Sequence, residues 1–99
     1  MARYDLYAMP DGAGYLLDVQ VELLEELRTQ VVVPLLPRAE APPPARRLNP
    51  VFPLNGADHV MVTQNLAAVP VSILGKPVGS LASQADELRN ALDMVFIGF

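Results

Sequence analysis

The chain contains no cysteine and no tryptophan, and its one histidine is His59. Without cysteine, disulfides, thiolate nucleophiles and thiolate-bound zinc are excluded. A single histidine provides no pair at the spacing of a histidine-based metal site. The carboxylates are spread along the chain instead of clustering. The sequence therefore predicts no metal, no cofactor and no enzymatic activity.

Positive charge is also scarce, with seven Lys and Arg against eleven Asp and Glu and a net charge of −4. The only adjacent cations are Arg46 and Arg47. Proteins gain most of their nucleic-acid affinity by neutralising phosphates. We therefore expect no direct contact with nucleic acid, so a role near DNA would have to pass through another protein.

Long hydrophobic runs are missing as well. The most apolar stretch, Val31 to Leu36, is interrupted by Pro34 and is far shorter than the ~20 residues of a membrane-spanning helix. The start of the chain, Met1 to Asp5, leads into no apolar region typical of a signal peptide. We expect a single domain over residues 1–99, cytoplasmic and without membrane contact.

Short alternating segments separated by turn residues predict a mainly β protein. The predicted strands are Ala2–Ala8, Tyr15–Val21, Gln30–Leu36, Val51–Leu54, Asp58–Thr63, Leu66–Ile73 and Pro77–Val78. Pro34 predicts an edge or a bulge within its strand. Asn55-Gly56 predicts a type I′ hairpin, and in the turn Pro10–Gly14 glycine is expected to supply positive φ. Residues 22–29 fit either a short helix or an irregular segment.

Proline is the exception to these shortages, since six of the ten prolines lie between Pro37 and Pro53. This stretch predicts a stiff surface loop of polyproline character. It is either a plain linker or a ligand for a proline-recognition groove.

The end of the chain predicts an amphipathic helix. Its apolar stripe is formed by Leu81, Ala85, Leu88, Leu92 and Val95, and its polar face by Asp86, Asn90 and Asp93. Ser83 and Asp86 resemble a capping box. Phe96 and Phe99 fall near the core side and are expected to dock there. Ile97 points away from Leu88 and is either an anchor for a partner or an ordinary exposed residue.

Several strings, in one order along the chain, resemble the CcdB toxins of bacterial toxin–antitoxin modules. The strings are Leu17-Asp18-Val19-Gln20, Val32-Val33-Pro34-Leu35, Leu48-Asn49-Pro50-Val51, Leu66 to Gly75, and the terminal segment Glu87 to Phe99. The resemblance implies a small SH3-like antiparallel barrel with a three-stranded wing and one C-terminal α-helix. It further implies a homodimer that binds the A subunit of DNA gyrase, traps the cleaved-DNA complex and is neutralised by a CcdA-like antitoxin.

By the same resemblance, the gyrase-binding residues fall on two segments. These are Leu23 and Leu24 after the second strand, and Asp93, Ile97, Gly98 and Phe99 at the end of the helix. Residues 22–29 are then an irregular loop, although Leu23 and Leu24 also fit a place in the core.

The chain departs from the family pattern at its end, where Ile97 and Phe99 stand in place of the usual Trp-Gly-Ile signature and Asp93 replaces an asparagine. An interface tryptophan typically contributes about 2 kcal/mol or more. The alternative function is therefore a CcdB-fold module that binds antitoxin but no longer poisons gyrase. A third hypothesis is an endoribonuclease that uses His59 with Arg46 or Arg47.

Overall fold

The structure is a computed structural model that describes residues 2–22 and 26–98. In that part of the chain, regular structure consists of a seven-stranded sheet and one α-helix. The strands are β1 Asp5–Ala8, β2 Tyr15–Asp18, β3 Thr29–Pro37, β4 Val51–Leu54, β5 Ala57–Met61, β6 Ala67–Pro70 and β7 Gly79–Ser80. The helix, α1, spans Ala85–Phe96, and 3-10 turns occur at Arg38–Glu40, Thr63–Asn65, Val71–Ile73 and Ala82–Gln84.

The sheet is antiparallel throughout and curls into a half-barrel that α1 covers. Its strand order is β4-β5-β3-β2-β1-β7, and β6 pairs with β3 outside this path. β3 pairs with β6 over Thr29–Val32 and with β2 over Val32–Leu35, and these three strands are called the wing of the sheet. The predicted fold class, a small barrel-like β structure with one C-terminal helix, is confirmed.

Pro34 lies within the central strand β3 and not on an edge strand of the sheet. On one side β3 pairs with β6 as far as Val32 and with β5 from Leu35, so Pro34 falls in the gap between two partners. Its carbonyl accepts a hydrogen bond from the Val62 N–H at 3.0 Å. The missing proline N–H therefore interrupts no ladder, because the strand changes partner at this residue.

The β4–β5 hairpin forms as predicted. Asn55 and Gly56 have φ values of 53° and 82°, which are the two left-handed residues of a type I′ turn. The predicted strand Leu66–Ile73 is shorter than expected, because β6 ends at Pro70 and a 3-10 turn follows. The last strand is displaced from Pro77–Val78 to Gly79–Ser80.

The turn before β2 contains a glycine whose role differs from the predicted one. Gly12 and Gly14 do not have positive φ; among the described glycines only Gly56 and Gly98 do. Gly14 is buried, and a Cβ on it would lie 2.3 Å from the Leu35 carbonyl oxygen. The position requires glycine because two backbones approach closely there.

The sheet is buried on both faces. Alternate residues of the central strands, such as Leu17 and Val33, pack with Leu88, Ala91 and Leu92 of α1 in the main core. Their neighbours point the other way and form a second cluster of Tyr7, Leu16 and Val32, with Val69 and Leu74 packed against it. This double burial makes polar side chains on the second face costly unless they are hydrogen-bonded.

The apolar stripe of α1 is confirmed, but the predicted capping box is wrong. Leu81, Leu88 and Leu92 are buried, and Ala85 packs against the main core. The helix begins after a 3-10 turn that contains Ser83, and no side chain caps its first residues. Ser83 therefore lies one residue too early to cap α1, whose N-cap position is Gln84, and Asp86 and Glu87 favour the helix start through its dipole.

Candidate target-binding site

The C-terminal end of α1 exposes two apolar side chains, Phe96 and Ile97, and we call this end the helix tip. Phe96 is 69% exposed and Ile97 is 58% exposed, whereas Leu88 and Leu92 anchor the same helix in the core. Exposed large apolar side chains on a rigid element are typical of a docking site for another protein. Ile97 is exposed, and its role as an anchor for a partner stays a prediction. The predicted docking of Phe96 onto the body is wrong, since the buried residues of α1 end at Leu92.

Backbone hydrogen bonds determine how the helix ends. The N–H groups of Ile97 and Gly98 both donate to the Asp93 carbonyl, at 2.7 and 3.1 Å. Gly98 has φ of 90°, a conformation that glycine adopts readily. Asp93, Ile97 and Gly98 are thus brought together at one end of α1, where the chain turns away from the helix axis.

The electrostatic character of this tip is negative. Asp93 is exposed and lies in the last turn of α1, which contains no basic residue. A carboxylate near a helix C-terminus is unfavourable because the helix dipole is negative there. The ion pairs of the described part of the chain, Arg38–Asp58 and Arg89–Asp86, leave Asp93 unpaired. A partner at this tip would meet apolar surface beside an uncompensated negative charge.

Three of the predicted gyrase-binding residues, Leu23, Leu24 and Phe99, lie outside the described residues. Val21 and Leu27, which lie on either side of Leu23 and Leu24 in the sequence, are 44% and 50% exposed. Residues 26–28 form a turn and bend, so the short helix considered for residues 22–29 does not continue through them.

A buried polar cluster lies where residues 21–28 join β2 and β3, and it was not predicted from the sequence. It consists of Asp18, Gln20 and Gln30, which are at most 9% exposed. The Gln30 amide donates to Asp18 Oδ1 at 2.8 Å, and the Gln20 amide donates to Gln30 Oε1 at 3.2 Å. Gln20 Oε1 accepts from the Val31 N–H at 3.1 Å. The cluster joins the end of β2 to the start of β3, at the two ends of residues 21–28.

Replacing Gln30 by methionine should destabilise the fold by about 2 kcal/mol. The substitution nearly preserves volume but leaves the buried Asp18 and Gln20 side chains each short of a partner. Urea unfolding measures the change. Gln84→Met is the matched control, because Gln84 is only half-buried and accepts one long hydrogen bond from Ser83. Equal losses in the two variants would contradict a structural role for the cluster.

The Asp18 carboxyl should make stability depend on pH. Burial raises its pKa above the ordinary value, and hydrogen bonds from Gln30 and Gln20 oppose part of the rise. The folded state then holds the proton more tightly than the unfolded state. The free energy of unfolding therefore falls as pH rises from about 4 through the folded-state pKa. Asp18→Asn should remove this fall; the same slope in both proteins, measured by urea unfolding over a pH series, would refute the assignment.

The residues considered for ribonuclease chemistry occupy dissimilar surroundings. His59 is buried, its Nδ1 lies 2.9 Å from the Ala57 carbonyl oxygen, and its ring packs edge-on against Tyr15 at 5.1 Å. Arg46 and Arg47 are exposed on the proline-rich loop. Burial removes His59 from the solvent-facing position that a general base for a large substrate would occupy.

Clustered metal ligands and membrane-spanning helices are both absent from the described part of the chain. Among residues 2–22 and 26–98, no three His, Asp or Glu side chains form a group that could hold a metal ion. Within those ranges, too, no helix has the length and apolar character needed to cross a bilayer.

Three solved structures with a similar fold are described as a toxin or as endoribonucleases. The Mycobacterium tuberculosis toxin MazF-mt6 superposes with a TM-score of 0.75 and 24% identity, over 93% of this chain and 95% of that one. A mycobacterial endoribonuclease in complex with its cognate antitoxin superposes with a TM-score of 0.74 and 17% sequence identity. The match covers 97% of this chain and 94% of that one. Another mycobacterial endoribonuclease superposes with a TM-score of 0.72 and 19% sequence identity, over 97% of this chain and 90% of that one. At these identities the likeness shows the fold alone.

The sequence profile of the CcdB protein family matches residues 3–98. The match therefore spans the sheet, the proline-rich loop and α1, and it includes the exposed helix tip. Because it covers nearly the whole chain, the chain belongs to the CcdB family of toxins from toxin–antitoxin systems.

Proposed function

We propose that this toxin binds the A subunit of DNA gyrase and traps the enzyme's cleaved-DNA complex, without catalysing a reaction of its own. The observation that carries the proposal is the exposed tip of α1, where Phe96 and Ile97 project from a helix anchored in the core. Such a tip can insert into a partner's pocket at little conformational cost, because its base is already ordered. Ile97, Gly98 and Asp93 are the contacts that we assign to it, with Leu23, Leu24 and Phe99.

The charge of the chain supports action through a protein. With a net charge of −4 and no cation in the last turn of α1, the tip is repelled by DNA phosphates. Binding at a protein surface within a protein–DNA complex avoids that repulsion. The target is expected to offer an apolar pocket with hydrogen-bond donors or cations near the position of Asp93.

An antitoxin and a second copy of the chain complete the proposal. One of the similar solved structures is described as a complex with its cognate antitoxin, and we extend that relationship to this chain. A homodimer would present two helix tips, so each dimer could engage both halves of a symmetric target.

Plasmid cleavage by purified gyrase tests the proposal. With the toxin present, linear DNA covalently attached to the gyrase should accumulate, and addition of antitoxin should reverse the accumulation. Absence of a trapped complex at saturating toxin, with folding verified in the same sample, would exclude gyrase poisoning.

A second candidate follows from Ile97, which is smaller than the tryptophan usual in the family. An antitoxin-binding module that no longer poisons gyrase would bind antitoxin normally but allow normal growth when produced alone. Growth arrest on induction without antitoxin, relieved by its co-expression, would exclude this candidate.

RNA cleavage is the enzymatic alternative, and the fold shared with two mycobacterial endoribonucleases is the observation that favours it. Incubation with total RNA tests it. Cleavage that disappears in His59→Ala, with folding retained, would replace the gyrase proposal by a nuclease one.

A further inference from the structure

The turn of the β4–β5 hairpin extends beyond the rest of the sheet. β4 is the last strand in the sheet order, so within the described residues β5 is its only partner. β5 pairs with β3 over His59–Met61, whereas its first residues, Ala57 and Asp58, pair with β4 alone in the described sheet. A two-stranded ribbon by itself is marginally stable in water. We call residues 55–58, all of them exposed, the hairpin end, and we expect it to open locally more easily than the central strands.

Asn55 and Gly56 form a reactive pair at the hairpin end. Attack of the Gly56 nitrogen on the Asn55 side-chain carboxamide carbon closes a five-membered ring. Gly56 has no side chain to shield that nitrogen, and an ideal Cβ built there meets no atom within 4 Å. Among the described residues, no carbonyl accepts the Gly56 N–H and no group holds the Asn55 side chain by a hydrogen bond. Both reacting groups are therefore free to meet when the turn opens.

The other three asparagines of the chain each lack one of these conditions. Asn49 is 4% exposed and is followed by Pro50, which has no N–H. Asn65 is exposed, but the N–H of the following residue, Leu66, is already hydrogen-bonded and lies beside a branched side chain. Asn90 is exposed within α1, where the helix hydrogen bonds hold the backbone nitrogens. These three positions serve as internal controls for Asn55.

We propose that Asn55 is a site of spontaneous deamidation and that its isoaspartate product weakens the β4–β5 hairpin as the protein ages. The Gly56 nitrogen bonds to Asn55 Cγ while the Cγ–Nδ2 bond breaks, and ammonia leaves with the proton of the Gly56 N–H. Water then opens the succinimide ring. Attack of water at Cγ gives aspartate, and attack at the main-chain carbonyl carbon gives isoaspartate. The proposal goes beyond gyrase poisoning, because neither residue belongs to the helix tip.

Isoaspartate is incompatible with the geometry of this turn. The turn contains two residues between the paired Leu54 and Ala57, and both have left-handed φ, 53° and 82°. Isoaspartate carries the main chain through its Cβ and Cγ, so it adds one backbone atom to a turn of fixed length. The hairpin also supplies Phe52, which is 2% exposed, to the main core. Loss of the turn should therefore lower the stability of the whole fold.

Ageing the intact chain at mildly alkaline pH tests the proposal, with peptide mass spectrometry as the readout. Asn55 should gain the mass difference between an amide and an acid, faster at higher pH because the attacking nitrogen must lose its proton. An isoaspartyl methyltransferase should then label the same fragment. Equal gains at Asn65 or Asn90 would overturn the proposal. So would an unreacted Asn55 under conditions in which a synthetic peptide of residues 51–60 reacts fully, because the turn would then protect it.

Asn55→Gly connects the reaction to stability. The variant lacks the carboxamide, and Gly-Gly is also a preferred pair for a type I′ turn. On ageing, the urea midpoint of the parent chain should fall while that of Asn55→Gly stays constant. Equal falls in the two proteins would attribute the loss to another reaction and contradict the assigned site.

Asn55→Asp separates the added charge from the lengthened backbone. It introduces the carboxylate without an extra main-chain atom, and Asp-Gly also suits the turn. Freshly prepared Asn55→Asp should unfold near the midpoint of the fresh parent and at higher urea than the aged parent. If it unfolds as easily as the aged parent, charge is the cause and isoaspartate is not. None of these measurements involves gyrase, so failure of this proposal and failure of the gyrase proposal are distinguishable.

Discussion

Ile97→Asp should reduce trapping of cleaved DNA by gyrase at least about thirtyfold while leaving the free energy of unfolding unchanged. Ile97 is 58% exposed, so the substitution removes no core contact. At a docking tip it places a charge where an apolar side chain enters a pocket, a loss of about 2 kcal/mol or more at a binding hot spot. Titration of the toxin in the plasmid cleavage assay measures the change.

Val78→Asp is the matched control for this prediction. Val78 is 59% exposed and lies outside α1, and its replacement adds the same charge to an equally exposed aliphatic position. Cleavage trapping should therefore be retained in Val78→Asp. Equal losses in the two variants would indicate an effect of net charge and contradict a specific role for the helix tip.

Gly14→Ala should destabilise the fold by about 3 kcal/mol. The added Cβ would lie 2.3 Å from the Leu35 carbonyl oxygen, a backbone atom of the central strand that cannot rotate away. Relief requires β2 and β3 to separate locally, at the cost typical of severe overpacking. Urea unfolding measures the difference from the parent chain.

Gly75→Ala provides the comparison. A Cβ at Gly75 would meet no atom within 4 Å, and its φ is not positive. We expect a change of stability within about 0.5 kcal/mol, because only the unfolded chain is restricted by the substitution. If Gly14→Ala were as neutral as Gly75→Ala, close backbone approach could not be the reason for glycine in this turn.

The burial of Asp18 and Gln20 depends on distant elements and was not predicted from the sequence. Asp18 and Gln20 alternate with apolar residues along the chain. The structure buries their face of the sheet, because Val69 and Leu74, some fifty residues further along the chain, pack against it. A period-two pattern reports which residues share a face and carries no information on what covers the face.

The prediction that Phe96 docks onto the core was wrong. Helical spacing places it close to the buried side of α1, yet it is 69% exposed, because the helix extends past its last buried residue, Leu92. The same overhang makes the end of α1 a candidate binding surface. Its candidate residues came from the family resemblance, and the structure added the exposure and the backbone hydrogen bonds that present them.

The sequence by itself excluded thiol chemistry and thiolate metal binding, since the chain has no cysteine. The sequence also determined the Asn55-Gly56 turn and the stripe of α1, because φ preference and helical periodicity depend on neighbouring residues. Only the tertiary structure decided that Gly14 faces a backbone oxygen and that Asp18 is buried. Each of these depends on contacts between strands and turns distant in sequence, which no local pattern encodes.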